Sequence, residues 1–152
     1  MEIQKTNLAQ VKTKNADSVY FTGKTVMKEI TSKIKSNDEK LYHVTFKNGS
    51  RTKLHYHTGG QTLIVTEGIG SLEIFKKNTK TKNSLFEIKL IKTTSLKKGD
   101  IAYIPAKTLH THGSVSKKTF SHFAINAYMP SKKEPKTIWF ESDFNSKVIK
   151  KL

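Results

Sequence analysis

Cysteine is absent from the 152 residues, which removes both a disulfide framework and any thiolate metal site and leaves the redox compartment unread. Arginine is nearly absent too: Arg51 stands alone beside 27 lysines. A formal charge of +16 attracts polyanions in general. Lysine doublets such as Lys76-Lys77, Lys117-Lys118 and Lys150-Lys151, however, lack the guanidinium fork that reads phosphates and guanines. A lysine-rich solvated surface is expected, without specific nucleic-acid binding. Long apolar runs are missing as well, so no stretch suits a membrane span, and the first residues carry no apolar leader. A cytoplasmic protein with no membrane partner is the expectation. The 35% of apolar residues can fill one core, which predicts a single domain over 1–152.

What the sequence does have is histidine in pairs. His55 and His57 stand two apart in a segment that reads as extended, so both imidazoles leave the same face of one strand, an arrangement that suits a metal. Gly59-Gly60 lets the chain bend before Gln61, Leu63 and Val65 resume the odd-numbered face. His110 and His112 form a second same-face pair after the turn Gly99-Asp100, a short buried strand Ile101 to Ile104 and a loop from Pro105. His122 lies in a third strand-like run, Thr119 to Tyr128, where Phe120, His122, Ala124, Asn126 and Tyr128 share one face and Phe123 and Ile125 the other. Both faces carry apolar residues, as in a strand covered on its second side by another sheet or chain.

The remaining elements are short and alternating. Tyr42, Val44 and Phe46 form the apolar face of a strand from Leu41 to Lys47 and point inward, whereas His43 points out. Asn48-Gly49 is a hairpin turn. Ser71 to Lys76 and the pair Leu85 to Ile91 and Thr93 to Lys97 flank a polar loop. Residues 1–18 read as a polar arm that frays or lies across a partner, 41–128 as the barrel core and 130–152 as an extension. That extension is expected to hold an edge strand, Ile138 to Phe140, with Trp139 as a packing residue, and a short helix capped by Ser142 with Phe144, Val148 and Leu152 in a stripe. Many short strands punctuated by Gly and Pro predict an all-β, double-sheet antiparallel barrel.

The pattern Gly49-x5-His55-x-His57-x3-Gln61-x6-Gly68, followed by Gly99-x5-Pro105-x4-His110, resembles the two motifs of the cupin superfamily. The usual glutamate is Gln61 here, the usual second-motif glycine is Lys107 and the usual final asparagine is Ser114. Gln61, the segment His110-Thr-His112-Gly and His122-Phe-Ala-Ile are similar to the small cupins that include bacterial manganese-dependent hydroxynitrile lyases. The resemblance implies a jelly roll with His55, His57, Gln61 and His110 as ligands of one divalent metal, Mn or Fe before Zn, Ni or Co. It implies His122 and His112 as unligated acid and base, with Tyr42, Val44 and Asn126 against a small-molecule substrate. It further implies a homodimer and cyanohydrin cleavage, with an iron-dependent dioxygenase or a non-catalytic binding barrel as rival readings.

Overall fold

The computed structural model describes residues 2–78, 85–141 and 148–151. Eleven strands account for most of them: β1 (Thr13–Asn15), β2 (Lys24–Glu29), β3 (Glu39–Lys47), β4 (His55–His57), β5 (Gln61–Asn78), β6 (Leu85–Lys97), β7 (Ile101–Ile104), β8 (Leu109–Ser114), β9 (Thr119–Ala127), β10 (Thr137–Glu141) and β11 (Val148–Lys151). Only two short 3₁₀ turns, Leu8–Gln10 and Ile30–Ser32, interrupt them. No helix among the described residues is long and apolar enough to cross a membrane.

Every pairing is antiparallel, and β5 organises them. Its first half, from Gln61, lies between β9 and β7 and continues through β3 and β2 to β1. Its second half lies between β6 and β8, and β4, β10 and β11 complete that side. One strand serves both sides because it bends at Gly68, whose φ of +75 falls beside a register shift against β9. A side chain there would run into the carbonyl of Thr119. Gly68 therefore marks a bend inside one continuous strand. Asn48 and Gly49 take φ of +52 and +82, and the Ser50 N–H closes the turn onto the Lys47 carbonyl at 3.0 Å, as the Asn-Gly pair predicts.

The main core fills the space between the two sides with Val44, Phe46, Leu63, Val65, Leu72, Leu96, Ile104, Phe120 and Ala124. Phe46, Leu63 and Phe120 are fully buried, each contributing about 1.5–3 kcal/mol by leaving water. A second cluster, Leu54, Phe86, Leu109 and Phe140 with Tyr56 and Ile138 against it, lies on the other face of β4, β8 and β10. It exists because the β5–β6 hairpin shifts register at Ile74/Phe75 and, through β11, reaches β10.

Two expectations are corrected. Val148–Lys151 is a strand between β6 and β10, not part of a helix, because edge pairing outweighs the four-residue spacing of the apolar positions; Ser142, Phe144 and Leu152 lie outside the described residues. The Ile101–Ile104 strand is not buried throughout: Ile104 is, but Ile101 and Tyr103 are 70% and 69% exposed. Within the N-terminal arm, β1 pairs with β2 and Val11 is buried.

Candidate metal centre and cavity

Strand alternation does the first work. On β4, Tyr56 enters the second cluster while His55 and His57 face inward; on β8, Leu109 does the same and His110 and His112 face inward. The one pairing between β4 and β8 sets His55 opposite His110. As a result one ring nitrogen from each of His55, His57 and His110 falls within 4.8 Å of the others, and all three residues are buried.

Tautomers follow from the outer nitrogens. His55 Nδ1 meets the Lys53 carbonyl at 2.9 Å and His110 Nδ1 meets the Thr108 carbonyl at 2.7 Å. A carbonyl only accepts, so both Nδ1 atoms carry the proton and both Nε2 atoms turn lone pairs inward. His57 Nδ1 lies 3.0 Å from the Thr137 hydroxyl, and its buried Nε2, with Gln61 nearby, makes no well-formed hydrogen bond. Gln61 Oε1 stands 3.3 Å from His110 Nε2; two lone pairs facing each other at that distance repel unless a cation lies between them. The orphaned His57 Nε2 and this confrontation are what a divalent ion would resolve, so the residues fit a metal. Its protein ligands would then be His55, His57, His110 and Gln61.

Burial keeps these rings neutral. Desolvation lowers His57 to about 3, helped by neighbouring His110, and lowers His110 to about 4. His55 is pushed well below its ordinary value by burial and by His110 and His57. Neutral imidazole is the ligand form, and the shifts have a consequence for stability. A histidine whose folded pKa is depressed below about 6.5 binds fewer protons than the unfolded chain at acid pH, so its contribution is present above that value and is lost as pH falls towards the folded pKa. Without metal, the unfolding free energy from urea titration is expected to hold near pH 7.5 and to drop steeply between pH 6 and 4, by up to about 1.4 kcal/mol per pH unit for each such histidine, and the midpoint with it. A midpoint flat across that window would contradict neutral burial.

Beside the triad lies a second pair. His122 Nε2 and His112 Nδ1 are 3.1 Å apart, and both rings are buried. Burial lowers His122 to about 3, and burial followed by the nearby His122 lowers His112 well below its ordinary value. Their enclosure against Phe46 and Phe120 makes both rings weak bases.

Of these groups His55, His57, Gln61, His112 and His122 line a cavity of about 240 Å³ together with Tyr42, Val44, Ala124 and Asn126, and His110 stands behind them. Sequence reading missed Phe21, Met27, Thr52, Thr137 and Trp139, which complete it. Trp139 is no mere packing residue: it stacks on His55 at 4.4 Å, in register across the β10–β4 pairing. No spacing signal in the sequence brings β10 to β4. Gln61 is held by Asn126, whose Oδ1 accepts from Gln61 Nε2 at 2.8 Å. His43 faces away, with its Nε2 3.1 Å from the Thr66 hydroxyl. Phe140 sits in the second cluster, and Lys53 pairs with Glu141 at 3.1 Å.

Lys107 occupies the position where the motif usually carries glycine, and its φ is +62. A side chain in that region costs about 1–2 kcal/mol, which explains the glycine. Lys107→Gly is expected to stabilise the protein by about 0.5–1 kcal/mol net of the extra freedom of glycine in the unfolded chain, measured by urea unfolding.

Among solved structures, the chain is similar to a cupin-like protein from Thermotoga maritima, with 29% identity and a TM-score of 0.62 over 84% of each chain. The fold is the cupin jelly roll. Other cupin-fold neighbours are a polyketide cyclase from Streptomyces resistomycificus (14% identity, TM-score 0.63, 83% of this chain and 80% of that one) and a predicted oxalate decarboxylase from Thermotoga maritima (13%, 0.59, 84% and 100%). No family model and no curated protein matches the sequence. In cupin terms, β4 carries the first motif's histidines, β5 opens with its glutamine and β8 carries the second motif's histidine.

Proposed function

We propose that the protein is a metal-dependent cupin enzyme that cleaves a carbon–carbon bond in a small hydroxy or carbonyl compound, in the manner of a hydroxynitrile lyase. The observation that carries this reading is the junction of two arrangements in one cavity: the convergent donors of His55, His57, His110 and Gln61, and the hydrogen-bonded pair His122 and His112. A divalent ion, Mn or Fe by resemblance, supplies Lewis-acid polarisation of a substrate oxygen there. The chain's own residues do the rest. His122 and His112 are neutral, so either ring can receive a proton at a free nitrogen and return it to the departing carbanion, and their mutual contact holds the two rings in place. Phe21, Met27, Val44, Ala124 and Trp139 hold an apolar substituent and exclude water.

The donor set carries no charge, and among the described lining residues none is Asp, Glu, Lys or Arg. This favours a neutral substrate, or one whose single negative charge goes to the ion. Cyanide belongs to that class. Gln61→Glu is expected to keep the metal while weakening cyanide inhibition at least about tenfold, because a carboxylate removes one unit of positive charge from the site; unchanged inhibition would refute the charge argument.

The test of the whole reading is elemental analysis of protein purified without added metal, beside mandelonitrile cleavage before and after chelation. Near-stoichiometric Mn or Fe with chelator-sensitive cleavage is expected. Dioxygen uptake without cleavage would overturn it in favour of an oxygenase, and failure to take up any divalent ion would leave a binding barrel.

A further inference from the structure

Among the four convergent donors, Gln61 is the one whose two ends differ in kind. A carboxylate offers an oxygen at either end, whereas a glutamine amide carries one oxygen that can bind a cation and one amino group that cannot. Local chemistry favours the wrong end. His110 Nδ1 gives its proton to the Thr108 carbonyl at 2.7 Å, so His110 Nε2 presents a lone pair. An amide N–H turned to that nitrogen would form a hydrogen bond and close the donor set to an ion. The structure has the opposite arrangement, with Gln61 Oε1 standing 3.3 Å from His110 Nε2.

What holds the amide this way stands on the neighbouring strand. Asn126 of β9 lies directly opposite Gln61 of β5 in the register, and its other side is paired with Lys40 of β3, so its backbone is fixed between two strands. Side chains opposed across an antiparallel pair lie within reach of one another. Here Asn126 Oδ1 accepts from Gln61 Nε2 at 2.8 Å. Both side chains are buried, so the amino group of Gln61 cannot exchange this bond for one to bulk water without cost.

We propose that Asn126 is a positioning residue for the fourth ligand: by taking the amino group of Gln61, it turns the carbonyl oxygen towards the histidines. The proposal rests on the metal reading above and gives Asn126 a task separate from contact with substrate. The acceptor at position 126 is what matters. A side chain there that can only accept performs the same task, and an apolar one frees the amide to rotate and to donate to His110 Nε2.

Titration of the full-length apo protein with Co²⁺ tests this, with urea unfolding of each variant alongside. Asn126→Leu is expected to weaken binding about tenfold in the Gln61 background, the worth of the hydrogen bond that the freed amide makes to His110. Beside Gln61→Glu the same substitution should change affinity by less than about twofold, since either oxygen of a carboxylate can serve. General damage to the cavity would instead fall on both backgrounds alike. Asn126→Asp, whose carboxylate can only accept, is expected to bind Co²⁺ at least as tightly as the wild type, although it brings a charge into a buried position. Equal losses in both backgrounds, no loss in either, or an Asn126→Asp protein as weak as Asn126→Leu would overturn the positioning role while the metal reading stands. A wild type that takes up no Co²⁺ ends both.

Discussion

His57→Ala is expected to yield a folded protein that no longer retains a divalent ion. His57 Nε2 is buried, makes no well-formed hydrogen bond and lies among the inward nitrogens of His55 and His110. Burying an imidazole nitrogen unpaired costs free energy of order 1–3 kcal/mol, which a bound cation would return. Removing the ring takes one of four donors from the site, so affinity for Co²⁺ or Mn²⁺ should fall by at least about a hundredfold, beyond the 10–100-fold that loss of an outer-shell partner brings. The apo form should lose little stability by the same change, because the unpaired atom leaves with the ring. Isothermal titration with each ion, set against urea unfolding of the apo protein, reads both quantities. Undiminished affinity would remove His57 from the ligand set.

The second large effect falls on turnover. His122→Ala should keep metal stoichiometry at the wild-type level and lower kcat on mandelonitrile by about 10²–10⁴, the range for loss of a general acid or base. His122 touches none of the three convergent nitrogens; its contact is with His112. Its pKa of about 3 adds a signature: the wild-type pH–rate profile should lack the limb near pH 6.5 that an ordinary imidazole gives. A fully active His122→Ala protein would end the assignment.

Much of this was legible because it is local. His-x-His in an extended run states which face two rings share, and Asn48-Gly49 states where the chain turns. The outward position of His43 and the inward positions of Tyr42 and Val44 follow from alternation alone. What escaped was pairing between distant strands. Trp139 reaches His55 only because β10 lies beside β4, and a period of two on each strand says nothing about which strands meet. In Ile101–Ile104 both faces are apolar or aromatic, so periodicity could not separate the buried Ile104 from the exposed Ile101 and Tyr103. The bend at Ile74/Phe75 carries neither glycine nor proline, and the second cluster it creates was correspondingly invisible. Lys107 was read as a departure from the motif; its backbone keeps the motif's conformation and bears the cost.

The outer nitrogens of His55 and His110 are each held by the main-chain carbonyl two residues earlier, at Lys53 and Thr108. Every amino acid brings that oxygen. Mutational drift at 53 and 108 can therefore change charge, size or polarity without moving a proton on either ring, and a lineage can vary both positions while the inward lone pairs of His55 and His110 are inherited intact. His57 has no such insurance, since its outer partner is the hydroxyl of Thr137, which makes position 137 the place where such drift would first be felt.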